Sequence, residues 1–226
     1  MTCLLRVSVN ESKTAPSHRF GLTPAVLAAV ADPEVTLAVW RRRVPTALAP
    51  QLRSWALSSA AEYDEELGAQ GYRFETAFQG LSDRATREFL SRDVSQLVGH
   101  LLRITRAPRF RLVFGAVRGD QCRKFHTDML RYRLLTTYLG PGTEWLPESN
   151  LWRTALTDSP PCPVAANAAI VRDPARIRRA RAGDVLLMKG AASAGLERAL
   201  VHRSPPIEGT GEVRVVLALS VYESRS

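Results

Sequence analysis

The chain has 226 residues, 45% of them hydrophobic and 23% charged, and carries a formal net charge of +9. These values are ordinary for a soluble globular protein with one full core. No run approaches the roughly 18 apolar residues of a membrane span, and the first ten residues lack the pattern of a secretory signal. Cys3, Cys122 and Cys162 are odd in number and widely spaced, which argues against a disulfide framework and for a reducing, cytoplasmic location.

The first hundred residues read as mainly helical. Thr23 and Pro24 resemble an N-cap and first-turn proline ahead of a helix over 25–31. Residues 34–40 form a short strand candidate, and 45–58, 60–67 and 82–90 read as helices. The clearest helix is 94–105, where Val94, Leu97, Val98, Leu101, Leu102 and Thr105 make one buried stripe before Pro108. His100 sits at the stripe's edge and reads as a packing residue.

After Pro108 the period falls to two. Phe110, Leu112, Phe114 and Ala116 alternate with Arg109, Arg111, Val113 and Gly115. Gly119 and Asp120 signal a turn. Strands are expected over 124–128, 132–138, 168–172, 185–188, 200–203 and 212–222, with an irregular proline-rich stretch at 147–163. Seven or eight short strands with Gly/Pro turns suggest a sandwich or barrel. The expected architecture is therefore a single α+β domain over 1–226. Residues 1–108 would be mainly helical support, and 109–226 a double-stranded β-helix barrel of the cupin or jelly-roll kind that holds a metal site.

That metal site starts from His126 and Asp128. Residues i and i+2 of a strand share a face, so an imidazole nitrogen and a carboxylate oxygen can hold one side of a divalent cation. His202, on a later strand before Pro205 and Pro206, is the candidate third ligand. Two histidines and one carboxylate leave positions open, as in the facial triad of non-haem Fe(II) oxygenases. Cys122 shares parity with 126 and 128, and as a fourth ligand it would favour zinc. On the last strand Val213, Val215, Leu217, Leu219 and Val221 form one apolar face, which turns Arg214 the other way. A buried guanidinium needs an acidic partner. A bound 2-oxo acid would supply one, and so would a protein carboxylate such as Glu144 or Asp128.

The order His126-Thr-Asp128, His202, Arg214 resembles the signature of Fe(II)/2-oxoglutarate oxygenases over residues 109–222. Val216 departs from the Ser or Thr often found two residues after that arginine. A longer similarity rests on Phe125-His-x-Asp128, Arg133-Leu134, Thr137-Tyr-x-Gly-Pro-Gly-Thr-Glu-Trp-Leu146 and Gly183-Asp184 with His202-Arg-Ser-Pro205. These motifs resemble an uncharacterised bacterial family, domain of unknown function eighteen twenty-six. The resemblance implies a link to metal homeostasis and an association with zinc-responsive metallochaperone GTPases, and it assigns no catalytic residue.

Gly140, Pro141 and Gly142 read as a tight turn. Trp145 reads as buried before it reads as a substrate platform. The Tyr138 hydroxyl is a candidate to bind an acid at the site. The leading reading is an Fe(II)/2-oxoglutarate-dependent oxygenase of unknown substrate, with His126, Asp128 and His202 on the metal and Arg214 on the 2-oxo acid. One alternative is a non-catalytic cupin-like zinc or iron protein. The other is an Arg-rich nucleic-acid-binding module, centred on Arg172, Arg176, Arg178, Arg179 and Arg181.

Overall fold

The computed structural model describes residues 17–58 and 62–223. Cys3 and the opening ten residues lie outside them. Ten strands are present: β1 His18–Gly21, β2 Leu37–Trp40, β3 Tyr63–Gly68, β4 Arg109–Val117, β5 Tyr132–Leu139, β6 Glu144–Trp145, β7 Arg178–Arg179, β8 Val185–Lys189, β9 His202–Arg203 and β10 Arg214–Val221. Seven make one sheet in the order β1-β2-β8-β5-β10-β4-β3, and three make a second in the order β7-β6-β9. Among the described residues only the β1–β2 pair is parallel. The fold is thus mixed α/β with one large sheet and one small one.

Period-two patterning sorts the large sheet's side chains. Leu112 and Phe114 of β4, Leu134 and Tyr138 of β5, and Val215, Leu217, Leu219 and Val221 of β10 share one core with the helices. Against them lie α1 (Leu48–Ser58), through Leu52 and Trp55, and α2 (Arg84–Thr105), through Leu90, Val94, Leu97, Val98 and Leu101. The 82–90 and 94–105 patterns are parts of this one 22-residue helix. Asp83 caps it by accepting from the Thr86 amide at 2.7 Å. His100 is half-buried with its ring edge-on to Trp40, in keeping with a packing role.

The other face of the large sheet meets the small sheet. Leu37, Val39, Leu186 and Met188 pack there with Trp145, Ala180 and Leu200. A third cluster unites Phe125, Leu146 and Val201 with Ile170 of the helix Pro163–Ile170. Helices, large sheet and small sheet therefore stack as layers, and the cavity described below lies between the two sheets.

Several expected elements differ. Residues 63–68 are strand rather than helix, because β3 pairs along the edge of β4 and its Tyr63 and Leu67 reach the core. The 25–31 helix is a 3-10 helix, Pro24–Ala31, and Thr23 makes no side-chain cap. Residues 168–172 end a helix rather than forming a strand, with one bridge from Val171 to Leu151. Residues 124–128 contribute one bridge, His126 to His202, and no regular strand.

Candidate metal centre and its cavity

His126 and His202 are joined through their backbones before their side chains meet. Each donates its amide to the other's carbonyl at 3.0 Å. Asn167 pins the approach to this bridge, accepting from the Phe125 amide and donating to the Arg123 carbonyl, both at 2.8 Å. Asp120 fixes the start of the same loop by accepting from the amides of Ile207 and Glu208. An irregular segment is thus held at both ends, which is how a loop can present side chains as accurately as a strand does.

The three side chains expected from the sequence converge. His126, Asp128 and His202 bring one ligand-capable atom each to within 4.8 Å of one another. His202 Nε2 lies 3.4 Å from Asp128 Oδ2, and His126 Nε2 lies 3.8 Å from Asp128 Oδ1. Both imidazoles turn Nδ1 toward a backbone carbonyl, Lys124 O at 2.9 Å and Leu200 O at 3.4 Å. A carbonyl only accepts, so an imidazole with its hydrogen on Nδ1 can bond it and leave Nε2 as the ligand atom on the side shared with Asp128. Burial holds the His202 pKa down at about 4 against the opposing pull of Asp128. Its lone pair is therefore free at neutral pH. Cys122 lines the cavity but its sulfur is outside this converging group.

Asp128 is also steered. Arg133 of β5 donates to its Oδ1 at 3.0 Å and to Ser220 of β10 at 3.2 Å. From the other side, the Ala191 amide donates to the Asp128 carbonyl at 2.7 Å. A Cβ at Gly190 would come within 2.7 Å of that same carbonyl and 2.2 Å of Leu130 O. Sequence reasoning missed Arg133 as a steering residue, Gly190 and Asn167. The Arg133-Leu134 motif was the one available signal, since nothing local marks a glycine or an amide whose partners are far along the chain.

The cavity beside these residues has a volume of about 180 Å³. Its walls are the second face of the sheet: Val113 and Gly115 of β4, Leu135 of β5, and Val216 and Ala218 of β10. Arg214 closes one end and is 3% exposed. It donates to Pro141 O at 2.7 Å, to the Ser204 hydroxyl, and to Thr137 Oγ1 at 3.5 Å. The Gly140–Pro141–Gly142 turn makes the first contact: Gly140 has φ +81°, and a Cβ there would sit 2.3 Å from Val213 O. Among the described residues Arg214 has no carboxylate partner. Asp128 is engaged by Arg133, and Glu144 by Arg179 and Arg203. Burial lowers the Arg214 pKa to about 10, with Glu144 opposing.

Tyr138 must be moved away from the site. It lies on the helix-facing side of β5, fully buried, and donates to Asp93 Oδ2 at 2.6 Å. Arg42 Nη2 reaches the same Asp93 oxygen at 2.8 Å. The strand alternation that turns Arg133 and Leu135 into the cavity turns Tyr138 out of it. Trp145 is buried, as expected.

The family model described as "Protein of unknown function (DUF1826)" matches residues 21–220. No curated protein matches the chain. Among solved structures, the chain is similar to a rice dioxygenase for auxin oxidation, with TM-score 0.49, 12% identity, and coverage of 93% of this chain and 84% of that one. It is also similar to the Arabidopsis thaliana dioxygenase for auxin oxidation 1 in its 2-oxoglutarate complex (TM-score 0.47, 11% identity, 93% and 94% covered). A third is a Pseudomonas putida prolyl-4-hydroxylase (TM-score 0.42, 10% identity, 89% and 99% covered).

Proposed function

For this chain, which belongs to the family "Protein of unknown function (DUF1826)", we propose a non-haem Fe(II)/2-oxoglutarate-dependent oxygenase built on a double-stranded β-helix. The observation that carries the reading is a two-His, one-carboxylate cluster whose histidines line the same cavity as a buried arginine with no ion pair among the described residues. The donor set suits iron: two neutral imidazole nitrogens and one carboxylate oxygen, with no thiolate in the group. His126, Asp128 and His202 would hold it. The chemistry that ferrous iron supplies when bound is the reduction of dioxygen coupled to oxidative decarboxylation of a 2-oxo acid.

The protein's own residues account for the co-substrate. Ser204 is two residues beyond His202 in extended chain and contacts Arg214. Two residues of extended chain span about 6.7 Å. A dicarboxylate with its oxo-acid end at the His/Asp cluster would direct its far carboxylate toward Arg214. There it meets a guanidinium plus the hydroxyls of Ser204 and Thr137, which stand in for the Ser or Thr absent at Val216. A cavity of about 150 Å³ admits benzene, so 180 Å³, open at its mouth, suits a small dicarboxylate. Val113, Leu135, Val216 and Ala218 make the sheet side of the wall apolar, while Glu62, Gln121 and Thr143 add polar groups elsewhere in the lining.

The test is protein purified anaerobically and analysed for metal, then supplied with Fe(II), ascorbate and 2-oxoglutarate. Near-stoichiometric iron and succinate release, abolished in His126→Ala and His202→Ala, are expected. Metal binding without any 2-oxoglutarate turnover or binding would overturn the oxygenase reading.

A further inference from the structure

A second concavity, which shares no lining residue with the metal cavity, is built for a different ligand. It is a groove of about 600 Å³ between two sheet edges, β1 of the large sheet and β7 of the small one. Its floor is apolar and aromatic: Val39, the buried Trp145 and the half-exposed Phe20, the two rings 6.5 Å apart. Arg41, Arg178, Arg179 and Arg181 stand around it, all exposed, while among the described residues Asp184 is the only carboxylate in its lining and is occupied by the Arg181 amide.

Three of these four arginines are not held by acids of the described residues. Arg179 pairs with Glu144, but Arg41, Arg178 and Arg181 have no ion pair among the described residues. Elsewhere in the same sequence cluster the arginines are committed: Arg172 stacks on Trp152 at 3.8 Å, and Arg176 donates to Ser149. The fold thus divides the cluster and points its unpaired members at one groove. Arg41 lies over the Phe20 ring at 5.1 Å, which joins the charged rim to the aromatic floor. The Trp145 indole N–H, buried beneath, has no acceptor among the described residues.

Unpaired guanidiniums match phosphate oxygens in geometry and charge. An exposed ring beside them offers a stacking surface that any base can use. We propose that this groove binds phosphorylated nucleosides, with phosphate on the rim of Arg41, Arg178 and Arg181 and the base against Phe20. The source is a free nucleotide or a single strand of nucleic acid. The inference does not rest on the oxygenase reading, because no residue of the groove is in the metal cavity.

The full chain would be titrated with a fluorescent ten-nucleotide single strand, with AMP, and with inorganic phosphate. Arg178→Glu/Arg181→Glu is expected to weaken binding at least tenfold, and Phe20→Ala about fivefold. Arg92→Glu/Arg103→Glu, the same charge change on the exposed side of α2, should shift it less than twofold. For a strand engaging three phosphates, log K should fall with log salt with a slope of about −2. A strand that binds tenfold tighter than AMP identifies nucleic acid as the source, and equal or tighter AMP binding identifies the free nucleotide. Circular dichroism and metal content confirm that the variants fold. Equal losses in the two charge reversals would overturn the proposal. So would phosphate binding as tightly as AMP with Phe20→Ala silent, or no binding of any probe.

Discussion

Arg214→Met separates a ligand anchor from a structural cation. Burial lowers the Arg214 pKa from its ordinary value to about 10. The charged form is therefore less favourable in the fold than in the unfolded chain, and at neutral pH it costs stability. A depression of this size corresponds to about 3 kcal/mol, at about 1.36 kcal/mol for each pH unit. Methionine removes that cost and nearly preserves the packed stem. Against it stand the hydrogen bonds to Pro141 O and Ser204, whose loss leaves polar groups unpaired at about 1–3 kcal/mol. The two terms nearly cancel. Because 1 kcal/mol moves the melting temperature of a chain this size by about 2–4 °C, Tm should stay within about 6 °C of wild type. Ligand response should not survive: wild type rises in Tm with 2-oxoglutarate and a divalent metal, and the variant does not. Differential scanning fluorimetry with and without ligand reads both. A drop of more than 10 °C with 2-oxoglutarate stabilisation intact would make Arg214 a structural group and sink the anchor argument.

Other variants probe the neighbouring contacts. Asp128→Asn keeps the shape but weakens the charged ligand and the Arg133 bond, so calorimetric titration should show divalent metal affinity down at least a hundredfold with Tm little changed. Gly190→Ala drives a methyl onto the carbonyls of Leu130 and Asp128; metal affinity should fall about tenfold or more, with several degrees lost in Tm. Tyr138→Phe leaves Asp93 one donor short, which denaturant unfolding should register as about 1–3 kcal/mol, while metal binding and succinate formation stay within twofold. Loss of succinate formation with metal bound and fold intact would return Tyr138 to the site.

The sequence made the β-rich half and the Arg214 side of the site legible because both rest on period-two alternation, whereas His126 and Asp128 converge from a loop. On β10 the apolar parity pointed to the helices and so turned Arg214 into the cavity. The same rule, applied to Tyr138, would have excluded it, since it shares parity with Leu134 and not with Arg133 or Thr137. Local pattern failed where pairing partners are distant. Residues 63–68 look helical in isolation and become strand because β4 offers an open edge. The His126 segment looks like strand and is instead a loop held by Asn167, Asp120 and one bridge. The split of the arginine cluster was equally invisible, because Trp152 and Ser149, which occupy Arg172 and Arg176, are set by tertiary packing.

One pair of strands serves stability and the site at once. The helix-facing side of β5 and β10 holds Leu134, Val215, Leu217 and Leu219, each 0% exposed, and each of the leucines is worth about 2–5 kcal/mol against truncation to alanine. The opposite side of the same two strands carries Arg133, Thr137, Arg214 and Ser220, polar groups that a core would not tolerate unpaired. The rigidity of the first side fixes the spacing on the second: Arg133 reaches Asp128 and Ser220, and Arg214 reaches Pro141 and Ser204, from backbones locked in register. A register slip of one residue would exchange the two sides completely. The bulge between Val215 and Val216 is therefore the point where such a slip is confined. It lies directly beside Arg214, so the arginine's position depends on that irregularity and on the Gly140 turn opposite it.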